Sequence, residues 1–171
     1  MSTTGSDDDT VTALAEDISR IAQDHGFTLA VAESLTGGRL SCHLAAASDS
    51  ASWYAGGVTS YMTRIKYAVL GVPEGDPVIT EDAASQMVSG VSELMNADAA
   101  VAVTGAGGPG RQEDNPPGTT WIAALVRGKL HTELHHFPGE PEDVLAQTEH
   151  HALALLHSSM VESINHQEKN S

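Results

Sequence analysis

Apolar residues recur at Val11, Leu14, Ala15, Ile18, Ile21 and Ala22. Steps of three and four predict an amphipathic helix, with Thr10 as its N-cap and Gly26 as its stop. The period then changes. Residues 28–32, with the apolar run Leu29-Ala30-Val31-Ala32, read as a short buried strand, and 35–47 read as a helix whose first turn is Thr36-Gly37-Gly38. The polar residues 48–52 are a loop, and 54–61 read as a strand or extended chain. One or two helical turns follow over 63–70, ended by Gly71 and Pro73. Thr80 caps a clearer helix with Ala84, Met87, Val88, Val91, Leu94 and Met95 on one face. Residues 99–103 are a buried strand, 105–117 a loop rich in glycine and proline, and 119–126 with 129–137 a hairpin turning at Arg127-Gly128. Pro141-Glu142-Asp143 opens a last helix that runs to about residue 164.

Helices before, between and after about five strands predict a single-domain α/β fold, three layers deep (α/β/α), with a mixed sheet because its last two strands form a hairpin. The domain is expected over residues 10–165, between a flexible acidic leader (1–9) and a flexible tail (166–171). At 171 residues the chain is long enough for one sizeable core. No stretch approaches the roughly 20 apolar residues of a membrane span. The single cysteine, Cys42, excludes an internal disulfide and suits a reducing cytoplasm.

Charge changes the picture most. Acids number 23 against 8 bases, a net −15. Such a surface repels nucleic acid and anionic membranes, so neither is an expected partner. The lysines are only Lys66, Lys129 and Lys169. Abundant acid with scarce lysine is the composition expected of a halophile's protein, kept soluble at high salt.

Two segments carry candidate chemistry. Ser34 follows the first strand, the place where α/β folds usually put their sites, and it serves there as a helix cap or as a nucleophile. A hydroxyl needs a base to become a nucleophile. Lys66 lies between Ile65 and Tyr67, and an apolar setting would make it such a base, because desolvation disfavours its charged form. Otherwise it snorkels to the surface while Tyr61 packs in the core. The loop Gly105–Gly110 matches G-x-G-x-x-G, but Pro109 and RQEDNPPG after it cannot form the helix of a dinucleotide fingerprint. That loop is either a wide turn or a cradle of amides for a phosphate or oxyanion. His131, His135, His136, His150, His151 and His157 lack metal-site spacing and are read as solvated, so no metal is expected. His131 and His135 on one strand would stand more than about 10 Å apart.

Three segments together resemble one family, the CinA C-terminal domain, the nicotinamide mononucleotide (NMN) deamidases. The family's A-E-S-C-T-G-G segment is similar to Ala32-Glu33-Ser34-Leu35-Thr36-Gly37-Gly38. Its G-G-V segment, leading to a tyrosine, a lysine and L-G-V, is matched by Gly56-Gly57-Val58, Tyr61, Lys66 and Leu70-Gly71-Val72. Its V-T-G-I-A-G-P-G loop and following P-V-G-T-V-W are matched by residues 103–110 and by Pro116-Pro117-Gly118-Thr119-Thr120-Trp121. The match runs from about residue 11 to 160. The resemblance implies a metal-free, cofactor-free cytoplasmic amidohydrolase, a homodimer or higher homo-oligomer, that converts NMN to nicotinic acid mononucleotide and ammonia in NAD recycling. It implies Ser34, Tyr61 and Lys66 as catalytic residues. Substrate contacts are expected from Glu33, Thr36, Gly37, Gly38, Thr104, Gly105, Gly107 and Gly110. The ribose phosphate is expected at the Thr36-Gly37-Gly38 helix start or in the Gly105–Gly110 loop.

The chain departs from the family at Leu35, Met62-Thr63, Arg111, Asn115 and Pro141, where a family cysteine, Ser-Asn, glycine, lysine and arginine stand. With that lysine and arginine gone, Arg39, Arg64 or Arg111 is expected to hold the phosphate. The alternatives are a non-catalytic nucleotide-binding protein and an amidase for another nucleotide-like substrate. The charge reading has its own check: refolding stability should rise from low to high salt as acid repulsion is screened, and equal stability at both would reject it.

Overall fold

Residues 4–171 are described by the computed structural model, with side chains from Asp7 onward, and in them the apolar runs become strands of one sheet. The order is α1 (Thr4–His25), β1 (Leu29–Glu33), α2 (Arg39–Ala46), β2 (Tyr54–Thr59), α3 (Thr63–Leu70), α4 (Glu81–Met95), β3 (Ala99–Gly105), β4 (Thr119–Val126), β5 (Lys129–His136) and α5 (Pro141–Lys169). The strands lie side by side as β2-β1-β3-β4-β5. β1 runs parallel to β2 and β3, whereas β3–β4 and β4–β5 are antiparallel, so the sheet is mixed as its terminal hairpin requires.

Strand alternation sorts the core by size. Leu29, Val31, Val101, Val103, Ile122 and Val126 face α1, α2 and α5, where they meet Ile18, Leu40, Leu44, Leu153 and Leu156. The opposite face presents Ala30, Ala32, Ala100, Ala102 and Ala123 to Met87, Val88 and Val91 of α4 and Leu70 of α3. A fully buried Leu, Ile or Val contributes about 1.5–3 kcal/mol, and an alanine much less. The first face therefore supplies most of the apolar stabilisation, while the second lets α4 sit close.

Local signals set several ends. Thr80 Oγ1 accepts from Ala83 N at 3.1 Å, and Glu140 and Asp143 cap α5 reciprocally around Pro141. Other ends differ from the sequence reading. α1 opens at Thr4, so Thr10 lies inside it. Of the expected leader, residues 1–3 fall outside the described residues and 4–9 are helical. α5 continues to Lys169, through most of the expected tail. Leu94 is 55% exposed, because it falls at the edge of the α4 stripe centred on Ala84, Val88 and Val91.

Gly90 records how close the layers come. A Cβ there would stand 2.1 Å from the Leu70 carbonyl oxygen and 2.9 Å from Leu70 Cα, both backbone atoms of α3. Gly90→Ala gains about 1 kcal/mol in helix propensity but forces α3 and α4 apart. Net destabilisation of about 1–3 kcal/mol is expected from such overpacking, read as a lower urea midpoint. A stabilised variant would show that α3 is not seated on α4.

Candidate functional site

Alternation along β1 turns Glu33 to the same face as Leu29 and Val31, toward α2. Glu33 is fully buried, and a buried carboxylate requires partners. It finds them at the start of α2: Leu40 N at 2.9 Å, Ser41 N at 3.0 Å, Ser41 Oγ at 2.7 Å and Thr36 Oγ1 at 2.7 Å all donate to it. The chain turns back to allow this at Gly37 (φ 60°) and Gly38 (φ 109°), left-handed positions that suit glycine. Gly38 is the N-cap of α2 and has no side chain to offer, so the anion comes from the preceding strand. This corrects the expected helix start. Thr36-Gly37-Gly38 is a turn outside α2, and Ser34 is not its cap; the Ser34 carbonyl accepts from Gly37 N at 3.1 Å.

The end of β2 ties the backbone of Glu33 to Lys66. Ser60 is fully buried, and its N and Oγ donate to the Glu33 carbonyl at 2.8 and 3.1 Å. Its own carbonyl accepts from Lys66 Nζ at 2.5 Å. Lys66, on the second turn of α3, is only 2% exposed. Burial lowers its pKa to about 8, opposed by the charge of Glu113. Glu113 lies in the loop after β3 with φ 48°, and its carboxylate accepts from Val78 N and Ile79 N at 2.8–3.0 Å. Thr104 Oγ1 donates to the Val78 carbonyl at 2.5 Å, so the segment before α4 is held from both sides.

These contacts enclose a cavity of about 340 Å³ lined by Ser34, Tyr61, Lys66, Thr104, Gly105 and Glu113, among others. A second cavity of about 240 Å³ shares Ser34, Tyr61 and Gly105 with it and extends along Gly107 and Gly108 to Pro141 and Leu145 of α5. Two larger cavities, about 570 and 550 Å³, contain no buried lysine. Chemistry rather than volume selects the site. Tyr61 lines both smaller cavities with 72% of its surface exposed, so it stands at their mouth.

Ser34, Tyr61, Lys66, Thr104 and Gly105 thus line one cavity, and Gly107 lines the second. Glu33, Thr36, Gly37, Gly38, Gly110, Arg39 and Arg111 line neither cavity. The oxygens of Glu33 and the hydroxyl of Thr36 are engaged with each other and with α2. That also closes the start of α2 to a phosphate, because a carboxylate already occupies it. Arg39 donates to Glu142 at 2.7–2.8 Å and lies 3.5 Å from Glu149. Arg111 donates to the Asp114 carbonyl within its own loop, and Arg64 is exposed and also lines neither cavity. Among the residues lining the two cavities, Lys66 is the only cation. Ser60, Gln112 and Glu113 escaped the sequence reading; an acid within a Gly/Pro-rich loop was the available signal. The histidines also differ from expectation, since His135 and His151 are half-buried against Phe137.

The model described as CinA C-terminal domain matches residues 11–160. Protein YdeJ of Escherichia coli K12 is 35% identical over 155 residues, 88% of this chain and 90% of that protein. The putative competence-damage inducible protein of Bacillus subtilis 168 is 34% identical over 75% of this chain, which spans only 32% of that longer protein. Among solved structures, a competence-damaged protein (CinA) superfamily protein from Klebsiella pneumoniae superposes with a TM-score of 0.84 at 33% identity, covering 89% of this chain and 98% of that one. One from Escherichia coli gives 0.84 at 32%, covering 94% and 93%.

Glu33→Ala leaves the amides of Leu40 and Ser41 without their acceptor. A loss of about 3 kcal/mol is expected, read as a melting temperature about 6–12 °C lower for a chain of this size. An unchanged melting temperature combined with lost ligand binding would make Glu33 a substrate contact after all.

Proposed function

The chain belongs to the CinA C-terminal domain family, and we propose that it is an amidohydrolase that releases ammonia from the carboxamide of NMN, leaving nicotinic acid mononucleotide. The observation that carries this reading is a buried lysine of lowered pKa in the same cavity as a serine at a strand end. A neutral amine keeps two N–H bonds and a lone pair. One N–H serves the Ser60 carbonyl, which orients Nζ, and the lone pair is left for the Ser34 proton.

In the proposed reaction Ser34 Oγ attacks the carboxamide carbon as Lys66 takes its proton. The carbonyl oxygen becomes an oxyanion, which needs donors; backbone amides at Gly107 and Gly108 are candidates because these residues line the second cavity. Gly37 is not one, since its amide is held by the Ser34 carbonyl. Lys66 returns the proton to the departing nitrogen, ammonia leaves, and an acyl ester remains on Ser34. Water, deprotonated by Lys66, then hydrolyses the ester and regenerates the serine. Ser34, Tyr61 and Lys66 line one cavity, so the proton passes to Lys66 directly or through Tyr61. Tyr61 at the mouth suits contact with the substrate's ring or ribose.

A second reading follows from the absence of any arginine among the residues lining these cavities. A carboxamide nucleoside without phosphate would ask less of the site than NMN. Comparing KM for the two distinguishes them: equal values mean that the phosphate is not recognised.

Ammonia release from NMN should rise with pH through a limb near the Lys66 pKa of about 8. Ser34→Ala and Lys66→Met should each lose at least about 10²–10⁴-fold in kcat. Activity surviving Ser34→Ala would remove the acyl-enzyme, and binding of NMN without turnover in the wild type would favour the nucleotide-binding reading. Stability reads the same group independently. Between pH about 8 and 10.5 the unfolded chain holds the Lys66 proton and the folded chain does not. Wild-type stability should therefore gain from this group as pH rises through that window, and Lys66→Met should lose that contribution.

A further inference from the structure

We propose that β5 and α5 together form a binding site for one divalent transition metal of the zinc class, with Glu133, His135 and His151 as ligands. Glu133 and His135 are two residues apart on β5 and so share a face; their partners on β4 are Ile122 and Thr120. Ile122 belongs to the core cluster that includes α5, so this face looks toward α5. His151 reaches it from that helix. The ligand atoms of the three residues all lie within 4.8 Å of one another, and each residue is partly buried. Donor atoms around a tetrahedral zinc stand about 3.3–3.5 Å apart, given metal–ligand bonds of about 2.0–2.1 Å. Small side-chain rotations close the remaining gap.

The rings are already held for this. His135 stacks on Phe137 with centroids 4.8 Å apart and planes 8° from parallel. His151 lies 4.5 Å from His135 and 5.1 Å from Phe137, which is itself buried. His135 Nε2 and a Glu133 oxygen, 2.7 Å apart, would exchange their mutual contact for a shared cation. Imidazole binds metal in its neutral form, and His151 is partly buried beside His135 and His150. Two imidazoles and one carboxylate suit zinc and its neighbours rather than calcium or magnesium, which prefer oxygen donors. A net charge of −15 draws cations toward the whole surface.

None of the three ligands lines the Ser34 cavities, so the metal takes no part in the proposed hydrolysis. It would instead pin an edge strand to α5. That edge matters to the neighbouring loop: Phe137 N donates to the Gly118 carbonyl at 2.9 Å, and Gly118 N to the Ala106 carbonyl at 2.8 Å. Three protein ligands leave a fourth position for water or an external ligand.

Zinc and cobalt(II) binding to untagged full-length protein is the test, by equilibrium dialysis with metal analysis and by the visible absorption of bound cobalt. The wild type should bind one zinc per chain. His135→Ala and His151→Gln should each weaken binding by more than the about 10–100-fold lost with an outer-shell partner. His150→Ala should retain it, although His150 lies edge-on to His151 at 5.5 Å. Chelator should lower the melting temperature of the zinc-loaded wild type and leave that of His151→Gln unchanged, which separates lost metal from lost folding. Failure of the wild type to bind stoichiometric zinc, or equal binding by the His135→Ala/His151→Gln double variant, would overturn the site.

Discussion

The fully buried carboxylate of Glu33 is the constraint on which the site depends. It acts as the anion that α2 needs at its N-terminus, where unpaired amides and the helix dipole favour negative charge. Because Glu33 is the last residue of β1 and its partners are Thr36, Leu40 and Ser41, the five residues between strand and helix must double back. Gly37 and Gly38 accept the left-handed geometry, and Ser34 is left at the strand end facing a cavity. The glutamate thus places the serine while itself lining neither cavity.

A second constraint works on Lys66. Its ammonium has lost most of its water and has the Ser60 carbonyl as hydrogen-bond partner, while Glu113 lends only a longer-range field. Desolvation wins over that field, which is why the pKa falls and does not rise. Ser60 joins both constraints in one residue, since its amide holds the Glu33 carbonyl and its carbonyl holds Lys66. Shape and proton affinity in this cavity are therefore set by the same few backbone groups.

Acidity governs the remaining charges. With 23 acids to 8 bases, three of the eight cations are paired with acids: Arg39 with Glu142 and Glu149, Lys129 with Glu162, and Arg20 with Asp17. Arg127 spans Gln167, the His25 carbonyl and the Phe27 ring, tying the hairpin turn to both long helices. Arg39 is held by Glu142 and Glu149 and Arg111 by the backbone carbonyl of Asp114, and neither lines the Ser34 cavities.

The α/β class, the mixed sheet, the hairpin at Arg127-Gly128 and the cap at Thr80 were legible in the sequence, because each depends on periodicity or on residues within one turn of each other. So was the grouping of Ser34, Tyr61 and Lys66, though through resemblance and not through spacing. Other features were decided only by tertiary structure. The start of α2 moved from residue 35 to Arg39 because its cap arrives from a strand, and residues 4–9 joined α1, which the leader's composition did not reveal. Glu113, 35 residues from Val78, and His151, 16 from His135, acquire meaning only when the chain brings them together. Local patterns record which face a residue prefers; partners across the fold depend on loop closure and packing, which leave no short-range trace.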